Sequence, residues 1–254
     1  MLATYIFIGA ITGVIAGLLG VGGGLIVVPA LAALFSAANP DNPWLMQTAL
    51  GTSLATIIPT SISSLVAHFR HGAIRVADVN KLAPGLVGGA LAGAWLASRI
   101  DTQILKTGFG LFVLLVAAQM LSGFRPDPHD ANGPRTPAGI AIGLVSALAG
   151  IGGGSMTVPY LVWKGRGLRE AIATSAACGL PIALAATLGF VITGMGKTGQ
   201  LSGFIDPRAF LAISAASILT APLGARLAHT LPVPTVKRVF AIFLVAVGLK
   251  MIFR

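Results

Sequence analysis

Charge is scarce in this chain: 9% of its 254 residues are Asp, Glu, Lys or Arg, against about a quarter in a soluble domain. Long polar stretches are missing too. The longest, Gly123 to Arg135, is rich in Pro and Asp and lies between apolar runs, so no separate soluble domain is expected. Carboxylates are the rarest charge. All seven (Asp41, Asp78, Asp101, Asp127, Asp130, Glu170 and Asp206) fall in loops or at segment ends. A carboxylate in a hydrophobic centre would mark a cation or proton pathway, and the lack of one weighs against a cation pump. A lone cysteine, Cys178, excludes an internal disulfide and a cysteine metal cluster. His68, His71, His129 and His229 are too scattered to predict a metal site. There is no P-loop, no nucleophile–base pair and no βαβ context for dinucleotide binding. No catalytic residue, metal or cofactor is therefore expected, and a membrane enzyme is a distant reading.

Apolar residues fill the space that charge leaves. The mean hydropathy is +0.89, and 55% of residues are hydrophobic. Apolar segments of bilayer-spanning length, about 20 residues, recur along the chain. Eight are predicted, near 4–34, 45–68, 82–98, 104–123, 137–162, 170–194, 207–229 and 236–253. The fold class expected is a multi-pass, all-α integral membrane protein. The first run lacks a basic leader and continues past the usual cleavage distance, so it is read as a membrane segment. The formal charge of +10 is assigned to topology signals and lipid headgroups, not nucleic acid, because no aromatic residues interleave with the basic ones.

One glycine-rich phrase occurs twice. GLLGVGGGLIVVPAL runs from Gly17 to Leu31, and ALAGIGGGSMTVPYL from Ala147 to Leu161. Gly20, Gly22, Gly23, Gly24 and Pro29 align with Gly150, Gly152, Gly153, Gly154 and Pro159. Further matches follow in order. Ala49–Thr60 pairs with Ala171–Ile182, aligning Thr52 with Thr174, Ser53 with Ser175, Thr56 with Cys178 and Pro59 with Pro181. Gly93–Ala97 pairs with Gly224–Ala228, and Leu105–Met120 with Val236–Met251. The chain thus divides into two four-segment transmembrane repeats, 1–125 and 136–254, joined by a polar linker at 126–135. Repeats of this kind are typical of secondary transporters, with the substrate site near the midplane at the repeat interface.

Loop charge bears on how the repeats are related, since cytoplasmic loops are enriched in Lys and Arg. If every segment spans, the basic residues divide almost evenly. If the first segment of each repeat turns back at its glycines, eleven fall on one side and six on the other. The bias favours inverted repeats with both termini outside.

Three consecutive glycines break a helix and let backbone N–H groups converge. Broken backbone at depth persists where it is buried in protein or lines a cavity. A half-helix starting after the break aims its first N–H groups and its dipole at that point, which makes an anion site. Close packing through small residues is the alternative, and it is preferred for Gly89 and Gly93. In segment 2, Thr48, Thr52, Thr56 and Pro59 share one helical face; Thr174, Cys178 and Pro181 repeat the pattern in segment 6. Hydroxyls can hold an oxyanion without burying a permanent charge. They can equally bond back to carbonyls one turn earlier. The candidate substrate residues are therefore the eight glycines named above with Thr52, Ser53, Thr174 and Ser175, and the candidate hinges are Pro29, Pro59, Pro159 and Pro181. Arg70 is read as a topology anchor.

Together, the paired G-x-G-G-G-x(4)-P phrases, the G-T-S and A-T-S phrases before a proline and the G-A-x-L-A phrases resemble the sulfite exporter TauE/SafE family, over essentially the whole chain. The resemblance implies a bacterial inner-membrane permease for sulfur-containing or organic anions, such as sulfite, sulfoacetate or other sulfonates. The second half departs from the first at Ala173, opposite Gly51, and at Cys178, opposite Thr56. The leading expectation is a secondary transporter that moves a small anion by alternating access. The alternatives are a non-transporting membrane scaffold or assembly factor, and a passive anion channel. The partners expected are a small anionic substrate and the lipid bilayer, with a homodimer left open.

Overall fold

The computed structural model describes residues 1–19, 23–69, 74–122, 135–227 and 233–253. Among them the chain is all-helical, with ten helices: α1 (Leu2–Leu19), α2 (Gly24–Ala38), α3 (Leu45–Phe69), α4 (Val76–Ala97), α5 (Thr102–Ser122), α6 (Thr136–Leu148), α7 (Gly154–Trp163), α8 (Leu168–Thr198), α9 (Pro207–Leu227) and α10 (Val233–Phe253). Three stretches, Thr102–Ser122, Arg169–Thr198 and Pro207–Gly224, are long and apolar enough to cross a membrane.

Two of the eight expected segments are each a pair of helices. Segment 1 is α1 and α2; segment 5 is α6 and α7. Gly23 (φ 47°) and Gly153 (φ 75°) occupy the left-handed region immediately before α2 and α7. That conformation ends a right-handed helix and is open to glycine at little cost. Two segments are also longer than expected. α4 starts at Val76 and not near 82, because Asp78 and Lys81 lower the local hydropathy without disfavouring helix. α8 runs on to Thr198 through a similarly mixed last turn.

Contacts set the direction of each helix. Gly85 lies against Thr136 and Gly93 against Leu144, so α4 and α6 run the same way. Gly9 meets Ile213 and Gly13 meets Ser217, so α1 and α9 do too. These are close crossings: a Cβ on Gly89 would fall 2.1 Å from the Ile140 carbonyl oxygen, and one on Gly224 would fall 1.9 Å from that of Val14. Glycine stripes let backbones approach this way within membranes, where the hydrophobic effect gives helices no reason to associate. Gly51 packs on Phe190 and Gly179 faces Ser61, so α3 and α8 run oppositely. Arg75 at the start of α4 bonds Thr174 near the start of α8, and Lys197 at the end of α8 reaches the Ser98 carbonyl at the end of α4; α4 and α8 are parallel. α5 and α10 approach at Gly110 and Gly248.

Both paired segments turn back. Arg135, just before α6, and Arg166, just after α7, bond the same Asp78 carboxylate. The chain between them therefore leaves one end of the molecule and returns to it. At the opposite end, the Trp44 and Phe204 rings lie 5.5 Å apart. α1 runs with α9, which begins beside Phe204, and α2 ends six residues before Trp44. That hairpin enters from the opposite end.

Candidate functional site

The two breaks meet inside the molecule. A Cβ on Gly24 would lie 2.5 Å from the Gly150 carbonyl oxygen, and one on Gly150 would lie 2.7 Å from Val28. Gly150 is itself left-handed (φ 63°). Its carbonyl accepts a hydrogen bond from Ser53 Oγ at 2.8 Å. Gly152 packs on Ile57, and its carbonyl lies 2.9 Å from where a Cβ on Gly179 would be. The N-terminus of α2 thus lies against the turn between α6 and α7, four residues before α7 begins.

Their N-termini carry open donors. The Gly23 carbonyl accepts from the N–H groups of Ile26 and Val27, and the Gly153 carbonyl from those of Met156 and Thr157. Neither N-cap has a side-chain capping bond. The N–H groups of the first helical residues have no intrahelical partner by geometry. Each helix also brings about half a positive charge to its N-terminus. Each end is thus locally positive without a charged side chain. Among the described residues, no three His, Cys, Asp or Glu side chains gather as a metal site would need.

Of the twelve substrate candidates, Gly20 and Gly22 lie outside the described residues. Gly24 and Gly150 approach each other, Gly23 lies against Thr12, Gly152 against Ile57 and Gly153 against Ile182, Ser146 and Thr157, and Gly154 opens α7. Thr52, Ser53, Thr174 and Ser175 are all buried, but three of them have partners in the protein. Thr52 Oγ1 accepts from the Asp206 N–H at 2.9 Å, and Thr174 Oγ1 accepts from the Arg75 N–H at 3.1 Å. Asp206 and Arg75 each immediately precede a helix, so the two threonines anchor the starts of α9 and α4 in matching ways. Ser53 holds Gly150. Thr48, Thr56 and Thr60 bond back to carbonyls three or four residues earlier. The prolines Pro29, Pro59, Pro159 and Pro181 lie inside α2, α3, α7 and α8. Cys178 is free and buried.

Sequence reasoning missed two groups. Asp78 is buried and holds Arg135 and Arg166, the latter at 2.8 Å. Ser146, Ser155 and Thr157 lie at the second break with buried hydroxyls, and among the described residues these have no hydrogen-bond partner. The signal for the hydroxyls was present in the repeat: the aligned first-half residues are Ala16, Leu25 and Val27.

Residues 5–251 match the sulfite exporter TauE/SafE family. The chain belongs to that family. It is 36% identical to a probable membrane transporter protein of Haemophilus influenzae, over 97% of this chain and 96% of the relative. It is 30% identical to a probable membrane transporter protein of Methanocaldococcus jannaschii, over 88% and 82%. A probable inner membrane transporter protein of Comamonas testosteroni, TsaS, is 26% identical over 79% and 82%. No solved structure matches the chain. A TauE/SafE protein with apolar helices of spanning length is an integral membrane protein, and the family and its relatives are those of membrane transporters.

Proposed function

We propose that this TauE/SafE protein is a secondary transporter that carries a small sulfur-containing anion, sulfite or an organosulfonate, across the bacterial inner membrane by alternating access. The observation that supports this reading is the approach of the two glycine breaks, with Gly24 at the N-terminus of α2 lying against the Gly150 carbonyl in the turn between α6 and α7. Backbone donors at helix N-termini attract anions in this way, and discontinuous helices at a midplane site are a transporter device.

The architecture proposed is an inverted repeat of residues 1–125 and 136–254 about the linker at 126–135. Each half would supply a turned-back hairpin and three full spans. Three features support it. α3 and α8, which align in sequence, run oppositely. The crossing of α1 with α9 is mirrored by that of α6 with α4. The Thr52–Asp206 bond is mirrored by Thr174–Arg75. Under the positive-inside rule the Asp78 end, where Arg75, Lys81, Arg135, Lys164, Arg166 and Arg169 lie, would face the cytoplasm. The halves would rock about the site, with the four prolines as hinges. A homodimer is compatible with this arrangement, and no role in nucleic-acid binding is proposed.

Uptake of labelled sulfite into proteoliposomes tests the reading. Saturable uptake with counterflow is expected, and it should be lost in both Gly23→Leu and Gly153→Leu. Full activity in both variants would overturn the site. Uptake without saturation or counterflow would indicate a channel. Neither uptake nor anion-dependent thermal stabilisation would indicate a scaffold.

A further inference from the structure

The two breaks share a backbone but not a lining. At the second, a methyl placed on Gly153 would lie 3.4 Å from both Ser146 Oγ and Thr157 Oγ1. Ile182 Cδ1 would be nearer still, at 2.5 Å, so a ligand between the two hydroxyls displaces the flexible end of that side chain. Ser146 and Thr157 both have zero exposure. A buried hydroxyl without a partner costs about 1–3 kcal/mol, and helical Ser and Thr usually avoid this by bonding back to a carbonyl. Neither Ser146 Oγ nor Thr157 Oγ1 has a partner among the described residues, and Ser155 Oγ, in the first turn of α7, has none either.

At the first break the corresponding residues are Ala16, Leu25 and Val27. The pocket there is lined by Ile15, Ala16, Gly23, Leu25, Ile26 and Phe240. Thr12 is nearby, and its buried Oγ1 also has no partner among the described residues, but it turns its methyl to Gly23: a Cβ on Gly23 would meet Thr12 Cγ2 at 2.6 Å and no Thr12 oxygen within 4 Å.

We infer that a three-oxygen anion is held at one break only, the N-terminus of α7, by the hydroxyls of Ser146, Ser155 and Thr157 with the N–H groups of Gly154 and Ser155, while the described lining of the first break presents apolar side chains and the methyl of Thr12. This rests on the anion-transport reading and narrows it from a two-fold site to a one-sided one. Five donors suit a sulfite or sulfonate head, whose three oxygens each accept more than one hydrogen bond. A two-oxygen carboxylate would leave donors unused. Such bonds go to a charged acceptor in a dry site, where they are stronger than neutral ones.

Calorimetric titration of sulfite into the purified full-length protein tests the assignment, with acetate as the two-oxygen control. Ser146→Ala and Thr157→Val should each weaken sulfite binding about tenfold or more, as loss of a hydrogen bond to a charged group implies. Thr157→Ser keeps the hydroxyl and should stay within about threefold of wild type, which separates lost chemistry from lost packing. Thr12→Val should leave the affinity unchanged. Unaltered binding in Ser146→Ala and Thr157→Val, an equal loss in Thr12→Val, or acetate binding as tightly as sulfite would overturn the one-sided site. A wild-type protein that binds neither anion would overturn the transport reading together with the site.

Discussion

At one end of the molecule a buried carboxylate, Asp78, draws in Arg135 and Arg166, tying the start of α4 to both ends of the α6–α7 hairpin. At the other end rings do the closing. Phe204 sits 5.5 Å from Trp44 and 6.4 Å, edge-on, from Phe190, while Lys197 Nζ lies 4.4 Å from the centre of the Trp44 ring. The two ends are closed by different chemistry. Ion pairs in a dry setting lose much of their cost when water reaches them, because the charges recover hydration. Aromatic rings opened to water regain nothing and lose their burial. Opening the Asp78 end and opening the Trp44 end are therefore energetically different events, even where the backbone is matched.

The strongest way to break this comparison is Asp78→Asn. It leaves two largely buried guanidinium groups facing a neutral amide. Removing one partner of a buried ion pair costs about 3–5 kcal/mol. The expected result is a large fall in thermal stability of the purified protein, with sulfite binding at the distant break altered less than stability. A change within the error of the melt would mean that the hairpin is held by the α4–α6 crossing and not by charge.

Phe204→Leu probes the opposite end. It keeps an apolar side chain but loses both ring contacts, each worth about 0.5–1.5 kcal/mol beyond burial. A loss of about 2 kcal/mol is expected, and it should be insensitive to salt. A salt-dependent loss would mean that Lys197, not ring packing, organises this end.

How far the sequence reveals these features depends on their range. The breaks were legible because three glycines and a later proline are local signals, and they stood out by occurring twice. The small-residue reading of Gly89 and Gly93 follows from spacing along one helix, and both glycines do pack on α6. Even the turned-back path was indicated by loop charge. Asp78 was not legible: its partners lie 57 and 88 residues away, and nothing in its neighbourhood shows that it is buried. The hydroxyl stripe was ambiguous for a related reason. Helical spacing says that Thr52 and Thr56 share a face, but not that Thr52 accepts from a helix start 154 residues on, while Thr56 bonds back to Ser53.

That long-range pair offers a sharper test of what the two ends share. Thr52→Val and Thr174→Val each remove the acceptor for the backbone N–H of the residue just before a helix. Each should cost about 1 kcal/mol, and the two losses should agree to within a few tenths. Equal losses would place the difference between the ends in their side chains alone. Unequal losses would show that it extends to the anchoring of α4 and α9.

The smallest effect is expected at Glu170, on the same face as Asp78. Its carboxylate receives Arg75 Nε at 2.9 Å and Nη2 at 3.1 Å, a two-pronged geometry as good on paper as that of Asp78. Hydrogen bonding to Glu170 also holds the Arg75 guanidinium above its ordinary range, so the pair stays ionised at physiological pH. Yet both side chains are exposed, 47% for Arg75 and 38% for Glu170, where Asp78 is 4% exposed. In water the attraction is screened, and ordering two long side chains offsets much of what remains. Glu170→Gln should therefore shift the melting temperature hardly at all, and any shift should vanish in high salt, while the loss in Asp78→Asn persists there. A Glu170→Gln loss that approaches that of Asp78→Asn would show that the charged end acts as one network, with burial no longer what separates its two carboxylates.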